Sequence, residues 1–566
     1  MSNFTRRDFL RTTGAAITWA GVACALPGRS AAGNNAKSGK KRPNIILLVT
    51  DDQAREQFNF LPEGKNENGI TKNLTPNIDS LYSEGIHFAN AYCASPLCTP
   101  SRYNCLTGRY AGTCQWQPFC DYTEKNSGQT CVQWNSYIAY STVNVARALS
   151  TAGYFTGIVG KDHCFVKPDP ERERLHQLVP RDADPSDPEI DRLLKNYQSQ
   201  QVENLKKHGF DYAAAIYNNI VSGGSCRALE YTNLDWIIKG AFDFMDEASR
   251  RNKPFFLHIA TNLTHGPRYG GESYKKNPLA TPAGLLEKPL DVLPPRHTIG
   301  ERVKEAGKAP STADVTWLDD GIGALLNKLR DLDIDDNTII IYFNDHGKEP
   351  GGKGSLYQSG VHSICLAWGK STIKGSREVN AMIQNTDFVP TILDLCGTPK
   401  TNWPKMDGKS FRPLLNGSNK KIHESLYFEM GNTRAVIKDG FKYLAFRPSD
   451  RLKNMTYQKR KELLDLTIRI HQLRTKDNVN TWPVTDPNKP FGHLGLYPGG
   501  TACDRKSEKA YPNYNARDQL YDLKNDPMEQ NNLAGKPAYK QRLNALKKEL
   551  AGYLKNQPGS FGEFNK

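Results

Sequence analysis

The sequence is notable first for what it has little of. No apolar run is long enough to span a bilayer, and the mean hydropathy is −0.62, which argues against an integral membrane protein. No Cys-x-x-Cys pair occurs anywhere in the 566 residues, so a thiolate zinc site is not expected. No internal repeat is visible. Acidic residues are outnumbered, 60 against 75 Lys and Arg, for a formal charge of +15. That balance suits a polyanionic partner, nucleic acid or acidic polysaccharide, and says nothing about fold. Length alone allows a large core and roughly two to four domains.

The first residues read as an export signal. Thr5-Arg6-Arg7-Asp8-Phe9-Leu10-Arg11 precedes a modest apolar segment at 14–26 and the small residues Ser30-Ala31-Ala32. This is the pattern of a twin-arginine leader cleaved after Ala32, and an ordinary Sec signal would export the chain too. Cys24 is a weak lipoprotein site, because Gly21 stands where a larger apolar residue is usual. A periplasmic or secreted bacterial protein is expected. Residues 1–32 hold four Arg and one Asp, so the cleaved chain keeps +12. Twelve cysteines fit an oxidising compartment. Cys93, Cys105, Cys114, Cys120 and Cys131 crowd together, and one or two bridges are expected among them, with pairing left open.

After a linker at 33–42, residues 44–50 form an apolar run bounded by polar residues, as a buried strand does. It ends in Asp51-Asp52. Two acids at a strand's carboxyl end make either a solvated turn or a ligand site, since open α/β sheets bind ligands there. A second β-branched run at 338–343 ends in Asn344-Asp345-His346-Gly347. Helical spacing marks 143–152, 234–248 and 313–329, and further strands are expected at 156–159 and 254–260. Beyond about residue 418 the pattern shifts to short strand-like runs, at 434–437 and 442–446, with a charged helix-prone interval at 451–475 and a closing helix at 538–554. Residues 110–145, rich in Cys, Gln, Trp and Tyr, match no pattern and read as an insertion.

Between these lies Leu97-Cys98-Thr99-Pro100-Ser101-Arg102-Tyr103-Asn104-Cys105-Leu106-Thr107-Gly108-Arg109. Pro100 biases Thr99 to an extended conformation, Ser101 is placed to cap a helix, and Gly108 to end it. Cys98 would then stand at a helix amino terminus, where backbone N–H groups favour anions, beside an Arg102 guanidinium suited to tetrahedral oxyanions.

Cys98-x-Pro100-Ser101-Arg102 followed by Leu106-Thr107-Gly108-Arg109 resembles the signature of the formylglycine-dependent sulfatases. Further blocks resemble that family in order: residues 74–81, Gly160-Lys161-Asp162-His163, Thr264-His265-Gly266-Pro267, Asp345-His346-Gly347 with the glycine-rich loop around Lys353, residues 387–395 and 407–415, and residues 519–534 near the end. The resemblance implies an α/β fold of the alkaline-phosphatase-like kind, a large mixed sheet between helices (43–418) with a smaller α+β carboxy-terminal domain (419–566). It implies a metal site from Asp51, Asp52, Asp345 and His346, for Ca²⁺ with Mg²⁺ as the alternative. His346 stands where many members have Asn, so contact with the sulfate or a place behind the ligands is also open.

It implies, too, that Cys98 is oxidised by a formylglycine-generating enzyme to 3-oxoalanine, whose hydrate is the nucleophile. Arg102, Lys161 and Lys353 would stabilise charge, His265 or Lys353 would protonate the leaving alcohol, and His163 would take the second proton so that sulfate is expelled. The expected activity is that of a sulfuric ester hydrolase, arylsulfatase-like, acting on a sulfated glycan or a small sulfate ester. Nucleic acid is no longer the expected polyanion. The alternatives are a phosphonate or phosphate ester hydrolase of the same superfamily, or a non-catalytic polyanion binder should Cys98 stay a thiol. Trp116, Trp134 and Tyr137 could stack on sugar rings or belong to a local core.

Overall fold

A computed structural model describes residues 42–167, 179–218, 226–265, 272–348, 351–373, 375–475 and 502–564. The leader at 1–32, Cys24 and the linker up to residue 41 lie outside the described residues, as do Gly266 and Pro267.

Among the described residues, nine strands form one sheet. They are β1 (Asn44–Thr50), β2 (Ile86–Tyr92), β3 (Phe155–Lys161), β4 (Tyr212–Tyr217), β5 (Phe255–Ala260), β6 (Thr338–Asn344), β7 (His362–Trp368), β8 (Arg377–Val379) and β9 (Ile383–Gln384). The order is β8-β2-β7-β6-β1-β5-β3-β4, with β9 also on β2. All neighbours are parallel except β7, which runs antiparallel to β2 and β6. The sheet is therefore mixed, and strands buried on both faces explain the near-continuous apolar runs.

Alternate residues of β1 feed two cores. Ile45, Leu47 and Val49 face one with α2 (Cys98–Thr107), α4 (Val145–Thr151) and α9 (Phe388–Leu395), while Ile46 and Leu48 face the other with α1 (Pro76–Glu84), α6 (Leu234–Arg251) and α7 (Ala313–Asp331). Two further helices, α3 (Gln117–Lys125) and α5 (Pro188–Lys207), lie in excursions between strands, and the short α8 (Gln358–Val361) leads into β7. No described helix is long and apolar enough to cross a membrane.

The chain continues into a four-stranded antiparallel sheet, β10 (Ser425–Met430), β11 (Thr433–Lys438), β12 (Phe441–Phe446) and β13 (Asp518–Asp522). Between β12 and β13 run α10 (Tyr457–Thr475) and α11 (Ala502–Ala510), and α12 (Lys540–Leu554) follows. One face of this small sheet joins the first core through Leu426, Phe428, Ala435 and Ile437. The other is covered by Leu543, Leu546, Leu550 and Leu554 at helical spacing on α12.

The insertion has no sheet of its own. It bridges modules, with Val132 pairing to Gly431 and Ile138 to Phe165. Trp116 packs edge-on to Tyr137 at 4.8 Å, and both Trp116 and Trp134 lean on the first core.

The expected disulfides are absent among the described residues, where no bridge joins any of the ten cysteines. Their surroundings explain it. Cys114 Sγ donates to the Tyr137 carbonyl at 3.2 Å and Cys120 Sγ to the Cys114 carbonyl at 3.7 Å, while Cys93 and Cys105 are enclosed in the core between sheet and helices.

Candidate active site

Parallel pairing brings the two acidic strand ends together. Thr50 is in register with Asn344 across β1 and β6, and the Asp345 N–H donates to the Thr50 carbonyl at 3.1 Å. Asp51-Asp52 and Asp345-His346 thus emerge side by side at the carboxyl edge, where an open α/β sheet takes its ligands. Asp52 has a left-handed φ of 53°, and its N–H donates to Asp345 Oδ1 at 3.2 Å.

Helix α2 delivers the thiol. It begins at Cys98 itself, so Thr99 is helical and Ser101 lies inside the first turn, contrary to the extended Thr99 and capping Ser101 read from the sequence. Pro100 is tolerated there because the first-turn N–H groups have no intrahelical partner to lose. The Ser101 hydroxyl instead donates to the Asp345 carbonyl at 2.5 Å, tying helix to strand end. Gly108 ends the helix as expected, left-handed with φ 67° and its N–H on the Asn104 carbonyl at 2.9 Å.

The cations converge on the same carboxylates. Lys161, at the end of β3, donates to Asp51 Oδ2 at 2.5 Å. Arg102 Nη2 lies 3.3 Å from Asp345 Oδ2 and 3.8 Å from Asp51 Oδ1. Lys353 Nζ meets Asp52 Oδ1 at 2.6 Å, while His265 Nε2 is 3.5 Å from Oδ2 of that carboxylate. His346 Nε2 stands 3.4 Å from Cys98 Sγ, 3.3 Å from Asp52 Oδ1 and 3.6 Å from Asp345 Oδ1. Its Nδ1 is 2.9 Å from the Gly347 carbonyl. A proton on Nδ1 satisfies that oxygen, and in the neutral ring it turns the Nε2 lone pair toward the carboxylates.

Burial and charge set the protonation states. Burial opposes ionisation of Asp51, but Lys161, then His265 and Arg102, outweigh it and hold the carboxyl well below its usual range. Asp52 is lowered in the same way, against burial, by Lys353, His346 and His265. Asp345 is raised by burial and by its two acidic neighbours, with His346 and Arg102 opposing. Burial and then Lys161 push the His163 imidazolium well down, so this ring is neutral. Burial lowers His265 as well, against the pull of Asp51 and Asp52.

A cation fits this place. Asp51, Asp52, Cys98 and His346, all buried, bring ligand atoms within 4.8 Å of one another, and Asp51 Oδ1 has no hydrogen-bond partner. The Arg102 guanidinium lies 3.8 Å from that oxygen, beyond hydrogen-bond reach, and a buried charged oxygen without a hydrogen bond is costly unless a cation meets it closely. Carboxylate oxygens favour a hard divalent ion. Asp345 borders the cluster through Asp52 and His346 and shares its second oxygen with Arg102. Around it, Arg102 Nε and Nη1, Thr99 Oγ1 and His163 Nδ1 are also buried without hydrogen-bond partners. These are donors of the kind that a bound oxyanion satisfies.

The structure thus links nine of the ten expected residues by direct contact. His163 follows Lys161 by two positions and feels the charges of Lys161, Asp51 and Arg102. Sequence reasoning missed Asn385, wholly buried, whose amide donates to the Ser101 carbonyl and hydroxyl at 3.1 and 3.0 Å and accepts from the Ala94 N–H at 3.0 Å. Only the polar run Gln384-Asn385-Thr386-Asp387 beside a buried helix hinted at it.

The chain is similar to known proteins in sequence and in fold. Residues 353–472 match the family described as N-sulphoglucosamine sulphohydrolase, C-terminal. An ulvan-active sulfatase of Formosa agariphila is 25% identical over 526 residues, 91% of this chain and 81% of that protein. Human arylsulfatase A is 25% identical over 405 residues, 68% of this chain and 70% of that protein. A protein solved in complex with its substrate D-glucosamine-2-N,6-O-disulfate shares the fold, with a TM-score of 0.53 at 19% identity over 91% of this chain and 98% of that one. The sulfatase family itself matches residues 43–398, and the chain belongs to it: a sulfuric ester hydrolase with an alkaline-phosphatase-like fold.

Proposed function

We propose that this sulfatase removes sulfate from a sulfated carbohydrate, with residue 98 as nucleophile after oxidation to formylglycine by a maturation enzyme. The observation that carries the reading is the convergence of Cys98, at the amino terminus of α2, with Asp51, Asp52 and His346 inside a ring of cations. The thiol marks where the nucleophile is placed; burial pushes it up to about 12, with Lys161 and Lys353 pulling the other way. An unmodified thiol is thus a poor nucleophile at neutral pH. Formylglycine at this position would supply a hydrated aldehyde as nucleophile in place of that thiol. Asp51, Asp52, Asp345 and His346 would hold a hard divalent cation, Ca²⁺ in this reading, which would supply Lewis-acid polarisation.

The chain's own residues do the rest. Arg102 and Lys353 bind and orient sulfate oxygens, and as preorganised charges they contribute most where charge develops. Lys161 holds Asp51 ionised. His265 or Lys353, both on the Asp52 carboxylate, is positioned to protonate the leaving alcohol, and neutral His163 to accept a proton from residue 98. Residues 43–418 are read as the catalytic part and 419–566 as its subdomain. The reading includes export by the leader at 1–32. The basic chain and a relative named as ulvan-active support a polysaccharide or an oligosaccharide derived from one.

The test is peptide mass spectrometry of the protein from its native host, across the peptide ending at Arg102, followed by turnover of sulfated glycans against their phosphate analogues. Conversion of CH₂SH to CHO at Cys98 with preference for sulfate supports the reading. An intact thiol, or preference for the phosphate ester, overturns it.

A further inference from the structure

Lys353 is carried by a loop, and much of what fixes that loop lies away from the sulfate. Ser507 Oγ on α11 donates to the Gly351 carbonyl at 2.7 Å. The Tyr357 hydroxyl donates to Gln519 Oε1 on β13 at 2.6 Å, and its ring stacks on Tyr511 with centroids 3.5 Å apart. The Gln358 N–H donates to Glu529 Oε2 at 2.5 Å. All three ties come from residues 502–533, after the small sheet's first strands. From the side of the site come the Gly354 N–H on the Pro96 carbonyl at 2.8 Å, the Cys93 N–H on the Val361 carbonyl at 2.9 Å and Lys353 Nζ on Asp52 Oδ1 at 2.6 Å.

Glu529 stands out among them. It is fully buried with a left-handed φ of 54°, and its Oε1 lies 2.8 Å from Nζ of Lys442, itself buried on β12. A buried ion pair is often matched or exceeded in stability by apolar residues of similar volume. What apolar residues could not do is accept the Gln358 N–H with the second carboxylate oxygen. That bond holds the first residue of α8, and α8 is knotted tightly to the lysine loop. A Cβ on Gly360 would stand 2.3 Å from the Gly352 and Ser355 carbonyl oxygens, and one on Gly347 would stand 2.0 Å from the Ser359 carbonyl oxygen. Gly347, next to His346, also donates its N–H to the Gly360 carbonyl at 2.8 Å. With contacts so close, a displacement at Gln358 is passed to residues 352–355 rather than absorbed.

We propose that Glu529 is a positioning residue, whose carboxylate, fixed by Lys442, anchors Gln358 and thereby sets Lys353 over Asp52 and the bound sulfate. The proposal rests on the sulfatase reading of Lys353. It gives the carboxy-terminal module a part in sulfate binding.

Two variants separate positioning from bulk stability, both made as the full chain with the maturation enzyme and checked by mass at residue 98. Glu529→Ala removes the acceptor and strands Lys442. Gln358→Pro removes the N–H together with the amide side chain that reaches Tyr92, at the first position of a helix, where Pro is tolerated, after a Tyr357 already extended at φ −74° and ψ 163°. It leaves the ion pair whole. Gln358→Ala, which loses the side chain and keeps the N–H, is its control and should behave as the parent. Glu529→Gln keeps an acceptor. The expected result is a fall of about ten- to a hundredfold in kcat/KM on an aryl sulfate for the first two, with a matching weakening of inhibition by free sulfate. Deuterium exchange should rise across residues 351–361, and Glu529→Gln should restore most of each. Unchanged sulfate inhibition and unchanged loop exchange in Gln358→Pro overturn the proposal, even if Tm falls. Should Glu529→Ala not fold, Gln358→Pro decides alone. A fully matured parent that turns over no sulfate ester instead overturns the sulfatase reading, and loop exchange still tests the anchor.

Discussion

Cys98 Sγ and His346 Nε2 lie 3.4 Å apart, yet they are not an activated thiolate and its imidazole base. Burial pushes the thiol up to about 12, so the thiolate fraction at pH 7 is on the order of 10⁻⁵. Protein made without a maturation enzyme should therefore be inactive at pH 7, and its Cys98 should resist iodoacetamide in the folded state. Peptide mass spectrometry of the alkylated protein measures this. Prompt labelling of Cys98 at neutral pH would show an activated thiol and contradict the assignment.

The two lysines should fail differently. Lys353→Met removes a cation from the sulfate side of Asp52 and is expected to lower kcat/KM by about 10²–10³, with little change in Tm. Lys161→Met removes the hydrogen-bonded partner of a fully buried Asp51 and leaves its charge to the more distant Arg102, a loss of about 3 kcal/mol in stability. Thermal unfolding alongside kinetics distinguishes them. Equal Tm losses would show that both lysines are structural.

Much of this site was legible because buried parallel strands advertise themselves. The runs at 44–50 and 338–343 each end in acids, and the observed β1 and β6 match them within a residue. What no run can state is which strands pair. The Thr50–Asn344 register, which makes one site of Asp51-Asp52 and the distant Asp345-His346, is a tertiary fact. The start of α2 was misread because Ser is a good cap in isolation, whereas here its hydroxyl is claimed by the Asp345 carbonyl. Asn385 carried no signal beyond its polar run, since one amide gains meaning only from the helix and strand it joins. The insertion was opaque for a related reason: its backbone pairs singly with distant segments at Gly431 and Phe165 and so has no period of its own.

Phe244 on α6 ties its helix to two strands of the large sheet away from the site. Its ring stacks on Phe155 at 5.0 Å and meets Phe255 edge-on at 5.4 Å, and a Cβ on Gly157 would lie 2.4 Å from it. Phe244→Ala should cost about 3–5 kcal/mol through lost burial and the cavity left behind. Denaturant unfolding should show a lower midpoint at an unchanged m-value. A midpoint within error of the parent would mean that the strands collapse onto the helix.

Acid should loosen the carboxy-terminal end through Arg447. Its guanidinium, buried to 1% exposure, holds Asp518 Oδ1 at 2.7 Å and Glu563 Oε1 at 2.6 Å. Burial opposes ionisation of Asp518, but bonds from Arg447, Lys547 and Tyr443 outweigh it and hold the group at about 2. The Arg447 bond lowers Glu563 to about 2 against burial. A carboxyl depressed in the folded state stabilises above its unfolded pKa and loses that contribution as pH falls through the folded value. The window here runs from about pH 4.5 down to 2. Deuterium exchange over residues 441–446 and 517–522 should rise across that window in the parent. Arg447→Met should raise exchange already at pH 7 and flatten the dependence. An unchanged acid profile in Arg447→Met would show that other groups hold the module.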